Sequence, residues 1–493
     1  MRLVTGQVLT AVIFARHAAG AQASPHRLDS IARAAIAEER VVGASVLVAQ
    51  GGRVILQKGY GFADRGLEAP TKAETVYHIV GPMLPFTGVA VMQLVERGKL
   101  ALDDEVARFI PEFPMQGHRV TIRQLLDHTS GIVDYHYLGD PIDATSRLPK
   151  ALDEVTALYA GKDWTNEPGA KWDWSISGFQ LLVTVVERLT GQSFGDYAEV
   201  NIFRPAGLRS TTYCDDQSLV RGLSHAYRRF ESGVVPANEN DMAYNADLRF
   251  CSTVGDLYTL WTALRAGRLL RPETLKLMET PAGAAARMNP ADSLAQYGLA
   301  LSLNHEDTHR RVGQHGSLFG YSGSLYEFPA DRLTVVVLSN TEGQNAYAVS
   351  RALARAVLKL TPLPDARPAP TRSLTSVEES AAERGQLSGT YVLKLDRVGP
   401  GLHDSYAQYR RTYRVFDENG RLMIQALGQG PERLLKQTDG TFSVRSAPRS
   451  RISFLIESGR AAALTYDGLG FGAPLSGTRV GDGDPATFHR PRP

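Results

Sequence analysis

The segment between Pro85 and Gly98 limits the possible folds more than any other part of this sequence. Residues 86–96 carry apolar side chains around nearly the whole circumference of a helix, and Gly98 ends the pattern. Pro85 suits the first turn of such a helix, because a backbone N–H has no helical partner there. A helix that is apolar on all sides must be covered by other elements, so the sequence predicts a large domain built around it.

Other segments of the first 360 residues alternate between helix and strand patterns. Turn signals at Gln50-Gly51-Gly52-Arg53 and Pro329-Ala330-Asp331 join strand-like runs and favour antiparallel hairpins. A second buried helix is closed by Gly191. This pattern predicts an α/β (α+β) domain with a central antiparallel sheet flanked by helices. The predicted helices are 28–36, 181–189 and 346–358, and the predicted strands are 44–49, 54–57, 322–328 and 334–338.

The chain changes character after residue 360. Prolines 362, 364, 368 and 370 give residues 361–372 the composition of a semi-rigid linker. Short strand-like runs follow, and Asn419-Gly420 and Asp439-Gly440 are strong hairpin signals between them. The sequence therefore predicts a second, small antiparallel all-β domain. The predicted boundaries are 24–360 for the first domain, 361–380 for the linker, 381–480 for the second domain and 481–493 for a flexible tail.

The composition is that of an ordinary globular protein, with 43% hydrophobic and 22% charged residues. The net charge of +2 is too small to favour nucleic acid or an anionic membrane as a partner. Residues 1–23 combine an early arginine, an apolar stretch and a run of small residues, which predicts a signal peptide and a periplasmic or secreted protein. A plain amino-terminal tail is the alternative. No later run approaches about 20 apolar residues, so no integral membrane segment is expected.

Short motifs follow one another in a specific order along the first domain. They are LLDHTSG at residues 125–131, Glu167-Pro168-Gly169, and Ser252-Thr253 followed by Asp256-Leu257. Together they resemble the landmarks of the family that contains serine β-lactamases, DD-peptidases and related esterases, and the resemblance covers residues 28–358. It implies a β-lactamase/transpeptidase-like fold, with a central cleft that hydrolyses acyl substrates in the active members of the family.

The residues that carry the family's chemistry are replaced in this chain. The family acylates the serine of a Ser-x-x-Lys motif at the start of the central helix, where lysine takes the hydroxyl proton. Alignment on Pro85 and the helix that follows places Gly81 at the serine position and Leu84 at the lysine position. Neither side chain can act as nucleophile or base, so the resemblance alone does not make this chain an enzyme.

The second and third family motifs are altered as well. In place of Tyr-x-Asn or Ser-x-Asn the chain has Trp174-Ser175-Ile176, without the hydroxyl and the amide at the matched positions. In place of Lys-x-Gly or His-x-Gly it has Gln314-His315-Gly316; the alternative register keeps His315 first but loses the glycine. The resemblance then implies a remodelled ligand pocket, or alternatively a closed, disused cleft. The expected pocket residues are Gly81, Leu84, Trp174, Ile176, Gln314, His315, Gly316 and Ser317.

The two cysteines of the sequence are Cys214 and Cys251. Composition alone leaves open a single disulfide or two buried thiols. A branch of the family has cysteines at both places, so the resemblance implies a Cys214–Cys251 disulfide. The cysteines lie far apart in sequence and the 12 histidines form no His-x-x-x-His pair on a predicted helix, so the sequence predicts no metal site, and it indicates no cofactor.

Aromatic and bulky residues near the motifs are further candidates for the content of the cleft. Trp172, Trp174 and Phe319 could form an aromatic wall around a ligand, although such residues more often serve plain packing. The bulky stretch 247–250 is expected to fill part of the cleft. The histidine and serine of the LLDHTSG motif are interpreted as a structural landmark rather than as a base and a nucleophile.

The leading hypothesis is a β-lactamase-related protein that is catalytically impaired and acts as a binding or regulatory pseudoenzyme. Its expected ligand is a small molecule or a cell-wall peptide, and the sequence gives no oligomeric state. One alternative is an active serine hydrolase, such as an esterase, a D-amino-acid peptidase or a β-lactamase-like enzyme, with Ser317 or Ser175 as its nucleophile. The other is a structural or interaction protein whose cleft is vestigial.

Overall fold

A computed structural model of the protein describes most of the chain. The expected signal peptide (1–23) lies outside the described residues, as do 364–376 of the expected linker and 483–493 of the expected tail. The described residues are 24–138, 152–214, 219–230, 233–237, 249–288, 294–363, 377–395, 410–426, 431–444, 450–467 and 474–482.

Helices and strands alternate along the first domain, as the sequence predicts. The helices are α1 (Pro25–Glu38), α2 (Leu84–Glu96), α3 (Ile122–Leu126), α4 (Leu152–Tyr159), α5 (Ile176–Thr190), α6 (Phe194–Ala198), α7 (Arg204–Ala206), α8 (Val254–Arg265), α9 (Pro272–Met278) and α10 (Asn345–Leu358). Short 3₁₀ helices cover Val106–Arg108, Tyr135–Tyr137 and Gly283–Arg287, and a π-helical turn covers Glu199–Phe203. The strands are β1 (Gly43–Gln50), β2 (Arg53–Asp64), β3 (Ala69–Pro70), β4 (Tyr77–His78), β5 (Thr212–Tyr213), β6 (Tyr227–Phe230), β7 (Gly233–Pro236), β8 (Phe250–Ser252), β9 (Gln296–Tyr297), β10 (Ser302–Glu306), β11 (His309–Leu318), β12 (Tyr321–Phe328) and β13 (Leu333–Ser339).

One antiparallel sheet forms the middle of this domain, in the order β3-β2-β1-β13-β12-β11-β10-β9. Its central strands bury both faces, and alternate residues point to opposite sides. Val46 of β1 packs in the cluster formed with α1 and α10, whereas Leu47 packs in the cluster that contains α2. Strands β4, β8 and β5 form a separate small sheet, and β6 pairs with β7. The sheet therefore separates two hydrophobic cores.

Local sequence signals explain where the central helices begin and end. Helix α2 begins at Leu84 with Pro85 in its first turn, and its residues are buried from Leu84 as far as Leu94. Helix α5 is capped by Ser175, whose side chain accepts a hydrogen bond from the N–H of Gly178. It ends at Gly191 in the left-handed conformation, with φ 68°. Capping by Ser175 therefore fixes the start of α5, whereas α2 begins after Met83 without a side-chain cap and is held by its buried surface.

The second domain is a closed antiparallel barrel preceded by the short helix α11 (Ala381–Leu387). Asn419 and Gly420 both have positive φ, 54° and 76°, as a two-residue hairpin turn requires. The barrel interior is apolar and contains Tyr391, Leu434 and Leu464. The all-β domain that the sequence predicts is therefore confirmed as a barrel. Its strands are β14 (Gly389–Leu395), β15 (Arg410–Glu418), β16 (Arg421–Ala426), β17 (Glu432–Lys436), β18 (Phe442–Val444), β19 (Arg451–Glu457), β20 (Arg460–Asp467) and β21 (Leu475–Gly481).

Within the described part of the chain, every helix is too short or too polar to span a bilayer.

Candidate functional site

Gly81 lies in the turn just before α2, in direct contact with strand β11. Its φ is +83°, a conformation that side chains other than glycine's rarely adopt. A Cβ atom at this position would lie 2.2 Å from the carbonyl carbon of His315 and 2.4 Å from the nitrogen of Gly316. In the opposite direction, a Cβ atom at Gly316 would lie 2.9 Å from the Cα of Gly81. The position of the family serine is therefore packed against the backbone of the third motif.

The neighbouring groups at the start of α2 are either apolar side chains or backbone groups that already have a contact. Leu84 is fully buried and belongs to the main hydrophobic core. The N–H of Gly81 points at the sulfur of Met83, at 2.9 Å. A lysine at position 84 would place its charged amine in the apolar environment that Leu84 occupies. Burying a charge without a partner of opposite charge costs free energy.

The second motif contributes rings and backbone contacts. Trp174 stacks on His128, with ring centroids 4.3 Å apart and an interplanar angle of 29°. The N–H of Ser175 donates to Nδ1 of His128 at 3.2 Å, so this nitrogen is the acceptor and the ring proton lies on Nε2. The side chain of Ile176 is buried in the main core. The histidine of the LLDHTSG motif therefore holds the second motif in place.

Asp134 is a buried carboxylate that the motif comparison did not identify. Its Oδ2 accepts the N–H of Ile176 at 3.0 Å, and its Oδ1 accepts the N–H of His136 at 2.9 Å. The His136 ring lies 3.0 Å from the same Oδ1. Burial opposes ionisation, but the His136 charge and these hydrogen bonds hold the pKa of Asp134 below its usual value. Asp134, just before the 3₁₀ helix Tyr135–Tyr137, thus anchors the start of α5.

The third motif presents its side chains on opposite faces of β11. Gln314 is buried, and its amide donates to the hydroxyl of Tyr297 and, at 3.3 Å, to the carbonyl of Ala300. Tyr297 contacts the rings of His128 and Trp174, at centroid distances of 4.9 and 6.4 Å. The amide that replaces the family cation is therefore committed to tyrosine and backbone partners.

His315 lies on the other face of the strand. Its Nδ1 is 2.7 Å from the hydroxyl of Tyr326, and its ring stacks on Tyr347 at 4.1 Å and 13°. Burial, together with the charges of Arg311 and Arg351, lowers the pKa of His315 to about 4. The imidazole is therefore neutral at physiological pH.

Ser317, two residues further along β11, is held by the backbone. Its hydroxyl donates to the carbonyl of Tyr321 at 3.2 Å and accepts the N–H of Gly343 at 2.6 Å. Of the expected pocket residues, Gly81 and Gly316 are in direct contact. Gln314 and His315 point to opposite faces of β11.

The aromatic and bulky residues expected in the cleft lie in different parts of the domain. The ring centroid of Trp172 lies 5.8 Å from that of Tyr297, so Trp172 belongs to the same group of rings, as an aromatic wall requires. Phe319 lies instead against His136, at 6.0 Å. Phe250 packs in the main core, stacked on Phe86 at 5.2 Å, because its strand β8 faces α2. Residues 247 and 248 of the bulky stretch lie outside the described residues.

The disulfide that the resemblance implies is present. Cys214 and Cys251 are bonded, with their Cα atoms 5.8 Å apart, and both are buried. The ring of His78 lies beside them, with Nδ1 3.3 Å from the Cys214 sulfur. Sequence spacing gave no sign of this neighbour, since His78 is 136 residues away from Cys214.

An open groove lies in another part of the domain, beside α4 and α5. Its volume is about 580 Å³. Apolar side chains of Ile110, Phe113 and Leu181 line it, together with charged residues that include Glu112 and Arg188. No family motif falls on these residues.

The family assignment follows from comparison with known proteins. A family profile described as Beta-lactamase matches residues 28–359. The chain belongs to the beta-lactamase family. Penicillin-binding protein 4* of Bacillus subtilis (strain 168) is 28% identical over 327 residues, which cover 63% of this chain and 71% of that protein. Protein flp of Staphylococcus aureus (strain MW2) is 31% identical over 199 residues, and the match covers 38% of each chain.

Several solved structures share the fold of this chain. The octameric penicillin-binding protein homologue from Pyrococcus abyssi has a TM-score of 0.60 at 21% identity, over 92% of this chain and 99% of that chain. The hydrolase EstCE1 has a TM-score of 0.58 at 24% identity, over 67% of this chain and 97% of that chain. The D-amino acid amidase from Ochrobactrum anthropi SV3 has a TM-score of 0.58 at 20% identity, over 67% and 96%. The predicted β-lactamase/transpeptidase-like fold is confirmed.

Proposed function

We propose that this beta-lactamase family protein forms no acyl-enzyme and acts instead as a binding or regulatory protein. One observation carries the proposal: a Cβ atom at Gly81 would lie 2.2 Å from the carbonyl carbon of His315. That separation is far inside van der Waals contact, and the obstacle is backbone rather than a flexible side chain. A nucleophilic serine at this position would require α2 or β11 to move.

The groups around Gly81 support the same proposal. Acyl transfer needs a base beside the nucleophile and N–H donors directed at the developing oxyanion. The base position holds the buried, apolar Leu84, and the N–H of Gly81 is directed at the Met83 sulfur. The site thus lacks a proton acceptor at the family position and has committed one backbone donor to a local contact.

The two serines considered as replacement nucleophiles have structural partners. Ser175 caps helix α5 through Gly178 and is buried. Ser317 bonds the backbone of Tyr321 and Gly343. His315, two residues away on the same strand, is engaged through Nδ1 with the hydroxyl of Tyr326. A general base must lie within hydrogen-bond reach of the hydroxyl that it activates. These contacts argue against an active hydrolase built on either serine.

Intact-mass spectrometry tests the absence of acylation. The purified protein is incubated separately with a fluorophosphonate and with a penicillin, beside a family enzyme that retains Ser-x-x-Lys as the positive control. We expect an adduct only on the control enzyme. A stoichiometric adduct on this protein would overturn the proposal, and peptide mapping to Ser317 or Ser175 would establish the hydrolase alternative.

A binding role needs an accessible surface, and the groove beside α4 and α5 is our candidate. Its apolar floor contains Phe113 and Leu181, whereas the carboxylates of Glu112, Asp153 and Glu187 line it. Arg188 also lines the groove, but it is paired with Glu112 at 3.0 Å. The lining therefore keeps an excess of negative charge, which complements a ligand with an apolar body and a free ammonium group.

Thermal denaturation with matched ligands tests this surface. Phenylalanine amide carries an ammonium group and an aromatic ring, and N-acetylphenylalanine amide is its neutral counterpart. A ligand at about 100 times its Kd adds roughly 2.7 kcal/mol to the free energy of unfolding. We expect stabilisation by the amine form, lost in Ala157→Trp, which fills the groove, and retained in Ala37→Trp on α1.

The result also separates the binding role from a vestigial cleft. Equal stabilisation by the acetylated compound would contradict the charge argument. If a panel that also includes cell-wall peptides and penicillins shifts nothing, the structural alternative replaces the binding proposal.

A further inference from the structure

A histidine ring lies against the disulfide on the small sheet formed by β4, β8 and β5. Nδ1 of His78 is 3.3 Å from the sulfur of Cys214 and 3.4 Å from the sulfur of Cys251. The three atoms all lie within 4.8 Å of one another. His78 and Cys251 are paired residues of neighbouring strands, and the N–H of Cys214 donates to the carbonyl of Arg249 at 3.0 Å. Backbone pairing thus fixes all three side chains in one place.

These separations approach the edge lengths of a tetrahedral zinc centre. With Zn–S near 2.3 Å and Zn–N near 2.0–2.1 Å, neighbouring ligand atoms lie about 3.5 Å apart for nitrogen and sulfur and about 3.8 Å apart for two sulfurs. Both nitrogen–sulfur distances are already close to this value. Only the two sulfur atoms have to separate, which opening of the disulfide permits.

We propose that, once the disulfide is reduced, Cys214, Cys251 and His78 form a binding site for Zn²⁺. An external dithiol supplies two electrons and two protons, so that the S–S bond breaks, two thiols form and the dithiol becomes a disulfide. Zn²⁺ then displaces both thiol protons, and the lone pair of His78 Nδ1 provides the third ligand. Water completes the fourth position. The site exists in the reduced protein alone, because the bonded sulfurs of the oxidised form cannot act as thiolates.

The surroundings favour this set of ligands. The cysteines pack in an apolar cluster with Val76 and Leu223. A Zn²⁺ ion with two thiolates and a neutral imidazole carries no net charge, so the complex suits apolar surroundings better than free thiolates would.

Cobalt substitution tests the site without reference to any activity. The protein is reduced, freed of reductant under anaerobic conditions, and titrated with Co²⁺ and then with Zn²⁺. We expect a sulfur-to-cobalt charge-transfer band and intense visible bands of tetrahedral cobalt at one equivalent, which Zn²⁺ abolishes. The oxidised protein should show neither. His78→Gln should weaken zinc affinity by at least about 100-fold, more than the loss of an outer-shell partner costs.

His309→Gln is the matched control, since His309 pairs with Asp331 in a different part of the domain. It should bind cobalt as the unaltered protein does. Absence of the charge-transfer band in the reduced protein would overturn the proposal, whether or not reduction loosens the fold. Unchanged zinc affinity in His78→Gln would overturn it too, because the histidine would then contribute no ligand. Neither result bears on acylation at Gly81.

Discussion

The described part of the first domain contains two regions of different character. Around Gly81 the start of α2 touches β11 directly, and the rings of His128, Trp174 and Tyr297 pack beside the degenerate motifs. Beside α4 and α5 a groove of about 580 Å³ is open, although no motif marks it. The motif positions and the groove therefore lie in different parts of the domain, and the order of the motifs alone does not locate the groove.

The largest expected effect comes from placing a side chain in the contact between Gly81 and β11. Gly81→Ser combines a positive φ with a backbone collision at 2.2 Å, so it should lower the free energy of unfolding by more than about 4 kcal/mol. Gly98→Ser is the control: its φ is also positive, +66°, but nothing lies within 4 Å of its added Cβ. We expect a cost of only about 1–2 kcal/mol there. Urea unfolding measures both, and equal costs would mean that the cleft can open.

A smaller effect should follow from the buried carboxyl beside the ring cluster. Burial raises the pKa of Asp127 to about 6, although hydrogen bonds from Thr129 oppose the shift. Because the folded pKa lies above the unfolded value, the stabilisation is complete below pH about 4 and is lost as the pH rises through about 6. Asp127→Asn should remove this loss. Between pH 4 and pH 7 the free energy of unfolding of the variant should therefore rise by about 3 kcal/mol relative to that of the unaltered protein.

Urea midpoints measured across that pH range check the prediction. The exposed Asp103, paired with Arg123, provides the matched variant Asp103→Asn. It removes a carboxyl group at the surface and reports the general effect of an Asp-to-Asn exchange on the urea midpoint. If Asp127→Asn behaves in the same way, water reaches the carboxyl and the region is less closed than the packing indicates.

The smallest effect is expected in the groove. Ala157 is exposed on α4, so Ala157→Leu should change the free energy of unfolding by no more than about 0.5 kcal/mol. Ala90 is fully buried in α2, and Ala90→Leu should cost about 1–3 kcal/mol through overpacking. Thermal melts of the two variants compare the regions directly. Similar losses in both would show that the groove is filled in solution.

Much of the fold could be predicted because its signals are local. An apolar pattern followed by Gly98 marked α2, and Gly191 marked the end of α5. Asn419-Gly420 predicted a hairpin because both positions need positive φ, and the barrel has that turn. Hydrophobic periodicity and turn-forming residues depend on neighbours only a few positions away, so both can be recognised in a single sequence.

The interior of the site could be predicted only in part. Motif order located Gly81 and Gln314, but the tyrosine that holds Gln314 comes from β9 and belongs to no motif. Phe250 looked like a cleft residue beside its motif, whereas the structure places it in the core against α2. His78 meets the cysteines through strand pairing over long separations, which rules based on short ligand spacing do not detect. These contacts join residues that are far apart in sequence, so a local sequence pattern does not predict them.

The barrel of the second domain has a consequence for association. Strand β14 pairs with β21 as well as with β15, so the ring of described strands ends without a free edge. An added strand from another chain could not pair with β14, because neighbouring strands already lie along both of its sides. A partner that approaches the barrel at the junction of β21, β14 and β15 must therefore recognise side chains and turns, because the backbone groups of β14 are used within the barrel.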